Sequence, residues 1–85
     1  MSIEAVAERR AHQRRRVLKT GRIVFNDRSS VLNCTIRNLS GEGALLRIPL
    51  TLDVPHDFDL LIEGAGAARC WVAWKNDHQL GVAFR

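Results

Sequence analysis

Val31-Leu32-Asn33-Cys34-Thr35-Ile36-Arg37, then Asn38-Leu39-Ser40-Gly41-Glu42-Gly43, then Ala44-Leu45-Leu46-Arg47-Ile48: these eighteen consecutive residues decide the fold. In the first run Leu32, Cys34 and Ile36 alternate with Asn33, Thr35 and Arg37. A period of two puts the three apolar side chains on one face, as in a half-buried strand. The middle run holds an amide, a hydroxyl and glycine. Asn and Ser bond their own backbone and Gly supplies positive φ, so a tight turn is expected. The third run is apolar again and is ended by Pro49. Strand, turn, strand is the local result.

The same punctuation extends in both directions. From Lys19 the period is two, and residues 21–25 make a strand with Ile23 and Phe25 on one face, followed by a polar turn at 26–29. Beyond Pro55, residues 58–62 form a fourth strand, a Gly-containing turn occupies 63–66, and residues 68–75 and 79–84 form the last two. Six short strands with regular turns predict an antiparallel all-β barrel, whose closure hides strand edges. Trp71 and Trp74 have opposite parity. An unbroken strand therefore puts one of them in the core and leaves the other to cover a barrel end or a partner surface.

Eighty-five residues make one small domain, which buries about 60–65% of its unfolded surface. That leaves no room for a large catalytic cleft beside a scaffold. The charge is uneven: residues 1–30 carry eight Arg or Lys against three acids, residues 31–85 five against six. A neutral body with a basic leading portion points to an anionic partner, or else to a solvated basic tail. No run approaches the length of a membrane span and no apolar leader precedes the body, so a soluble cytoplasmic protein is expected. Cys34 and Cys70 sit in apolar strands and read as buried free thiols rather than a disulfide or metal pair. The scattered His12, His56 and His78 have no ligand spacing, and Asp57, Asp59 and Glu63 read as a solvated strand face. No nucleophile motif or phosphate-cradling glycine loop is present in the sequence, so an enzyme is the least favoured class.

Two sets of residues carry chemistry. Glu8-Arg9-Arg10-Ala11-His12-Gln13-Arg14 presents planar guanidinium forks, which grip phosphate or the O6/N7 edge of guanine and stack on bases. Residues 2–13 are too short and too polar for a stable isolated helix, so a mobile arm that orders on binding is expected. Asn38 and Ser40, facing outward from the end of the second strand, offer an amide with donor and acceptor and a hydroxyl, with Gly43 turning the backbone behind them. Each set alone has an ordinary explanation: a charge run, and a structural turn.

Together, in this order and on an all-β chain, they resemble the PilZ domain family, whose pattern is Arg-x-x-x-Arg followed by Asp/Asn-x-Ser-x-x-Gly. Arg10, Arg14, Asn38, Ser40 and Gly43 match it, and the resemblance covers residues 8–85. It implies a six-stranded PilZ-type β-barrel at 19–85, with a basic arm at 1–18. It further implies a receptor for the bacterial second messenger cyclic di-GMP that needs no cofactor and passes its signal to a downstream protein. Arg10 and Arg14 would take phosphate and guanine, and Asn38 and Ser40 the other guanine edge. Arg9 would contact a second ligand molecule, so two intercalated molecules per protomer are expected. Two other readings share parts of this pattern. A nucleic-acid-binding barrel with an Arg-rich arm has no need of Asn38 and Ser40, and a PilZ-like adaptor would bind only proteins.

Overall fold

The computed structural model describes residues 15–85, and in it six strands close into an antiparallel barrel. They are β1 (Arg15–Phe25), β2 (Ser30–Leu39), β3 (Gly43–Arg47), β4 (Asp57–Ile62), β5 (Gly66–Lys75) and β6 (Gln79–Phe84), in the order β1-β2-β3-β6-β5-β4 around the wall. The helix considered for residues 2–13, and Arg9, Arg10 and Arg14, lie outside the described residues. β1 begins at Arg15, four residues before the alternation visible from Lys19. Its first residues owe their strand state to β2, which continues to Leu39 and pairs Arg15 with Leu39 and Arg16 with Asn38.

Every strand contributes a wholly buried side chain: Ile23, Ile36, Leu46, Phe58 with Leu60, Cys70 and Leu80. Each large apolar group withdrawn from water stabilises the barrel by about 1.5–3 kcal/mol. Cys34 and Cys70 are buried free thiols, as expected. Burial pushes Cys34 up to about 11 and Cys70 up to about 12, from 9.0. Above pH 9 the unfolded chain therefore loses thiol protons that the folded chain keeps, and stability falls as pH rises towards 12. The chain has no tyrosine to obscure this effect. The urea midpoint should decline above about pH 9, and Cys34→Val should flatten the decline. An unchanged profile in that variant would exclude Cys34 as the source.

Three β-bulges interrupt the ladders, between Arg16 and Lys19 in β1, Ile36 and Asn38 in β2, and Val72 and Trp74 in β5. An extra residue shifts every later side chain to the opposite face. This corrects the expectation for the tryptophans. With Ala73 as the extra residue, Trp71 and Trp74 both face outward, 36% and 49% exposed, and neither joins the core.

The β1–β2 turn holds Asn26, Asp27 and Arg28 at φ of 55°, 53° and 72°. Asn and Asp tolerate the left-handed region; Arg has no local compensation there. Arg28→Gly should raise stability by about 0.5–1 kcal/mol, after allowing for glycine's larger unfolded-chain entropy. That corresponds to a gain of a few degrees in Tm, and an equal or lower Tm would contradict the strain at Arg28.

Candidate functional site

The turn after β2 is organised by Ser40. Its Oγ accepts hydrogen bonds from the N–H groups of Glu42 at 3.1 Å and Gly43 at 3.2 Å, and its own N–H donates to the Gly43 carbonyl at 2.9 Å. Both hydroxyl lone pairs are thus engaged, and the hydroxyl in turn donates a long hydrogen bond, Oγ to O 3.4 Å, to the Gly43 carbonyl, the one bond of the three that a ligand acceptor could replace without freeing a backbone N–H. The Phe84 N–H donates to the Glu42 carbonyl at 2.8 Å, which pins this turn to the last strand.

Gly43 has a different role from the one its position in a turn suggests. Its φ is not positive; the glycines in that region are Gly64 and Gly66. A Cβ on Gly43 would instead overlap the Val82 carbonyl oxygen, with the Val82 carbonyl carbon at 3.1 Å and Ala83 Cα at 3.2 Å. The residue is small because β6 passes against it.

Asn38 faces outward. Its partner on β3 is Leu45, flanked by the inward Ala44 and Leu46, and cross-strand partners share a face. Strict alternation from the buried Ile36 would have turned Asn38 into the barrel. The bulge at Arg37 reverses this and sends Leu39 inward against the core. Among the described residues the Asn38 amide has no hydrogen-bond partner.

The ladder partners continue from Asn38 as one outer row: Arg16 on β1, Asn38 on β2, Leu45 on β3, Gly81 on β6 and Trp74 on β5. Gly81 lacks a side chain where the Trp74 indole lies across it, since a Cβ there would collide with the ring. Beside this row, Ser40, Glu42, Ala73, Trp74 and Gly81 line part of a shallow groove of about 300 Å³. That is the lower end of the roughly 300–1,000 Å³ of small-molecule sites, enough for one flat ring system rather than a whole nucleotide. The adjacent outer row runs Gly43, Ala83, Trp71, Asp57. There Trp71 stacks on His56 at 6.0 Å, and Arg85 bonds Asp57 at 2.8 Å and holds its carboxyl below the usual range. The acid on this row is therefore already paired with a cation.

The family model for the PilZ domain matches residues 8–85, which takes in the arginine motif and the whole barrel. The chain belongs to the PilZ domain family. PilZ domains are ligand-binding receptors for cyclic di-GMP rather than a catalytic family. A search of curated proteins gave no match. Among the described residues of this PilZ domain, no helix is long and apolar enough to cross a membrane, and no group of three or more His, Cys, Asp or Glu is placed to hold a metal ion.

Of the six site residues anticipated from sequence, the structure places Asn38, Ser40 and Gly43 together at the end of β2 and start of β3. Arg9, Arg10 and Arg14 lie outside the described residues. Two further candidates come from the register. Arg16 stands directly opposite Asn38 on the same face, and Trp74 ends the row with its indole half exposed. The signal for Arg16 was its place two residues after Arg14. The signal for Trp74 was a tryptophan opposite a glycine, visible once β5 and β6 are aligned.

Proposed function

We propose that this PilZ domain binds cyclic di-GMP on the outer face of the barrel, along the row from Arg16 to Trp74, with Arg9, Arg10 and Arg14 closing over the ligand. The observation that carries the reading is the pairing of Arg16 with Asn38. Arg14 is two residues ahead of Arg16, so covalent geometry keeps its Cα within about 7 Å of that of Arg16. The Arg-x-x-x-Arg motif thus ends two residues before the strand position that faces Asn38. The ligand's chemistry matches the row end to end. Guanidinium groups neutralise phosphate and take the guanine O6/N7 edge, while the Asn38 amide, unpartnered among the described residues, and the Ser40 hydroxyl address another edge. Trp74 supplies a π face beside a groove of one-ring size, and stacking of a base is worth about 1–3 kcal/mol. Two such polar contacts and one stack supply about 3–9 kcal/mol gross, so a low-micromolar affinity, which requires about 8 kcal/mol, needs the further contacts of Arg9 and Arg10.

Arg9 is left to hold a second molecule, so an intercalated pair per protomer is the expected stoichiometry. Gathering three arginines across the outer face changes the surface that a downstream protein meets, and the ligand acts by favouring that gathered state. A calorimetric titration with cyclic di-GMP, with GTP and cyclic GMP as controls, tests this. Saturable binding of cyclic di-GMP alone, near two per protomer, is the expected result. Equal binding of all three would reduce the site to a general phosphate attractor, and no binding would remove the nucleotide reading.

A further inference from the structure

β1 is longer than the strand that closes the barrel against it. It pairs with β2 from Arg15 to Phe25, but with β4 only at residues 21–24. Among the described residues, no strand lies on the second edge of residues 15–19. An uncovered edge is a row of backbone donors and acceptors ready for another strand.

The place where β4 stops shows what this edge accepts. The Thr20 N–H donates to the Glu63 carboxylate at 2.8 Å, and the Glu63 N–H donates back to the Thr20 carbonyl at 3.1 Å. Lys19 Nζ lies 3.4 Å from the Glu63 carbonyl oxygen. An acidic residue thus continues the ladder one step beyond β4, bonding the edge with both backbone and side chain. Residues 15–22 contain Arg15, Arg16, Lys19 and Arg22 and no acid. A second copy added antiparallel along the same edge would set these cations against their own equivalents, which opposes self-pairing. Leu18, at the bulge, projects an apolar side chain that is 78% exposed.

We propose that the open edge of β1 at residues 16–19 receives an extended acidic segment of a partner protein as an added strand, with Leu18 packing against an apolar residue of that segment. Main-chain hydrogen bonds supply the attachment; alternating acids on the face of Lys19, with apolar residues on the opposite face beside Leu18, supply the choice of partner. This surface adjoins the nucleotide row at Arg16 but runs along the edge of β1 rather than across the outer face.

The test uses the full chain and a capped peptide of about eight residues, ordinary strand length, alternating Glu with Val and Thr. Two controls accompany it: a copy with Gln for Glu, and copies N-methylated on alternate backbone amides in either phase. The acidic peptide should shift the backbone amide resonances of residues 16–20 and slow their hydrogen exchange. The Gln copy and at least one N-methylated phase should bind at least about tenfold more weakly, as should the acidic peptide to Leu18→Asp, an exposed position whose change leaves the core alone. Equal binding by the Gln copy, or by both N-methylated phases, would overturn strand addition, as would shifts centred on Trp74 and Gly81. Edge amides already protected in the free protein would overturn it too, because the edge would be occupied. A dimer of the free chain that Leu18→Asp dissociates would replace the acidic partner with a second copy. None of these outcomes depends on whether cyclic di-GMP binds.

Discussion

Gly43→Ala should cost this domain about 3 kcal/mol or more and lower its Tm by roughly 10–20 °C. Inserting a methyl into a packed site ordinarily costs 1–3 kcal/mol because side chains yield. Here the obstacles are backbone atoms: the Val82 carbonyl group and Ala83 Cα. They can retreat only if β3 parts from β6, and Gly43 opposite Ala83 is the first of just five partners in that ladder. The same change at Gly81 meets a different obstacle. Its Cβ collides with the Trp74 ring, a side chain already half exposed that can swing into solvent. Gly81→Ala should therefore leave Tm within a few degrees while moving the indole off the groove. Thermal melts of the two variants, with tryptophan fluorescence, separate these cases. A Gly43→Ala protein that melts with the parent would show that β6 can give way and that the glycine is not required by close approach.

The alternation of Leu32, Cys34 and Ile36, the polar turns and the Pro-ended third strand made the barrel legible, because each strand is buried on one face and a period of two records that directly. The bulges left no such mark. Nothing in the composition of Arg37 or Ala73 says that it is the extra residue in its strand; the ladder with the neighbouring strand decides that. Alternation alone consequently divides the two tryptophans between core and surface, whereas Ala73 turns them the same way. Asn38 carries the same lesson, since its outward direction depends on a bulge that local alternation argues against. Local sequence marks Gly43 as a turn residue, yet its constraint comes from β6, some forty residues later in the chain, and a local pattern holds no such information. The strand state of Arg15 and Arg16 was hidden for a related reason, because it is imposed by Leu39 and Asn38. Of the arginines near the motif, the register of β1 brings Arg16, two residues beyond Arg14, opposite Asn38 at the end of β2.

Arg14→Ala and Asn38→Ala should each weaken cyclic di-GMP binding about 10–100-fold, while leaving Tm nearly unchanged. Removing Arg14 takes away a charge-assisted pair of hydrogen bonds, worth about 1.5–3 kcal/mol. Removing the Asn38 amide takes away a base-edge contact worth about 1–3 kcal/mol. It leaves no broken bond behind, because that amide is unpartnered among the described residues and only half buried. Ser40→Ala differs, since its Oγ holds two backbone N–H groups in the turn. That variant should lose about 1 kcal/mol of stability as well as affinity, so its binding loss alone says little about ligand contact. The double variant Arg14→Ala/Asn38→Ala decides whether the two groups serve one guanine. Residues that hold the same ring from two sides depend on each other, so the double loss should fall short of the sum of the single losses by about 0.5–3 kcal/mol. Additive losses would assign Arg14 and Asn38 to different rings, and the stoichiometry then becomes decisive. With two intercalated molecules the row from Arg16 to Trp74 still describes the floor of the site, whereas with one molecule, additivity would mean that the arginines and the rim do not share a ligand edge at all.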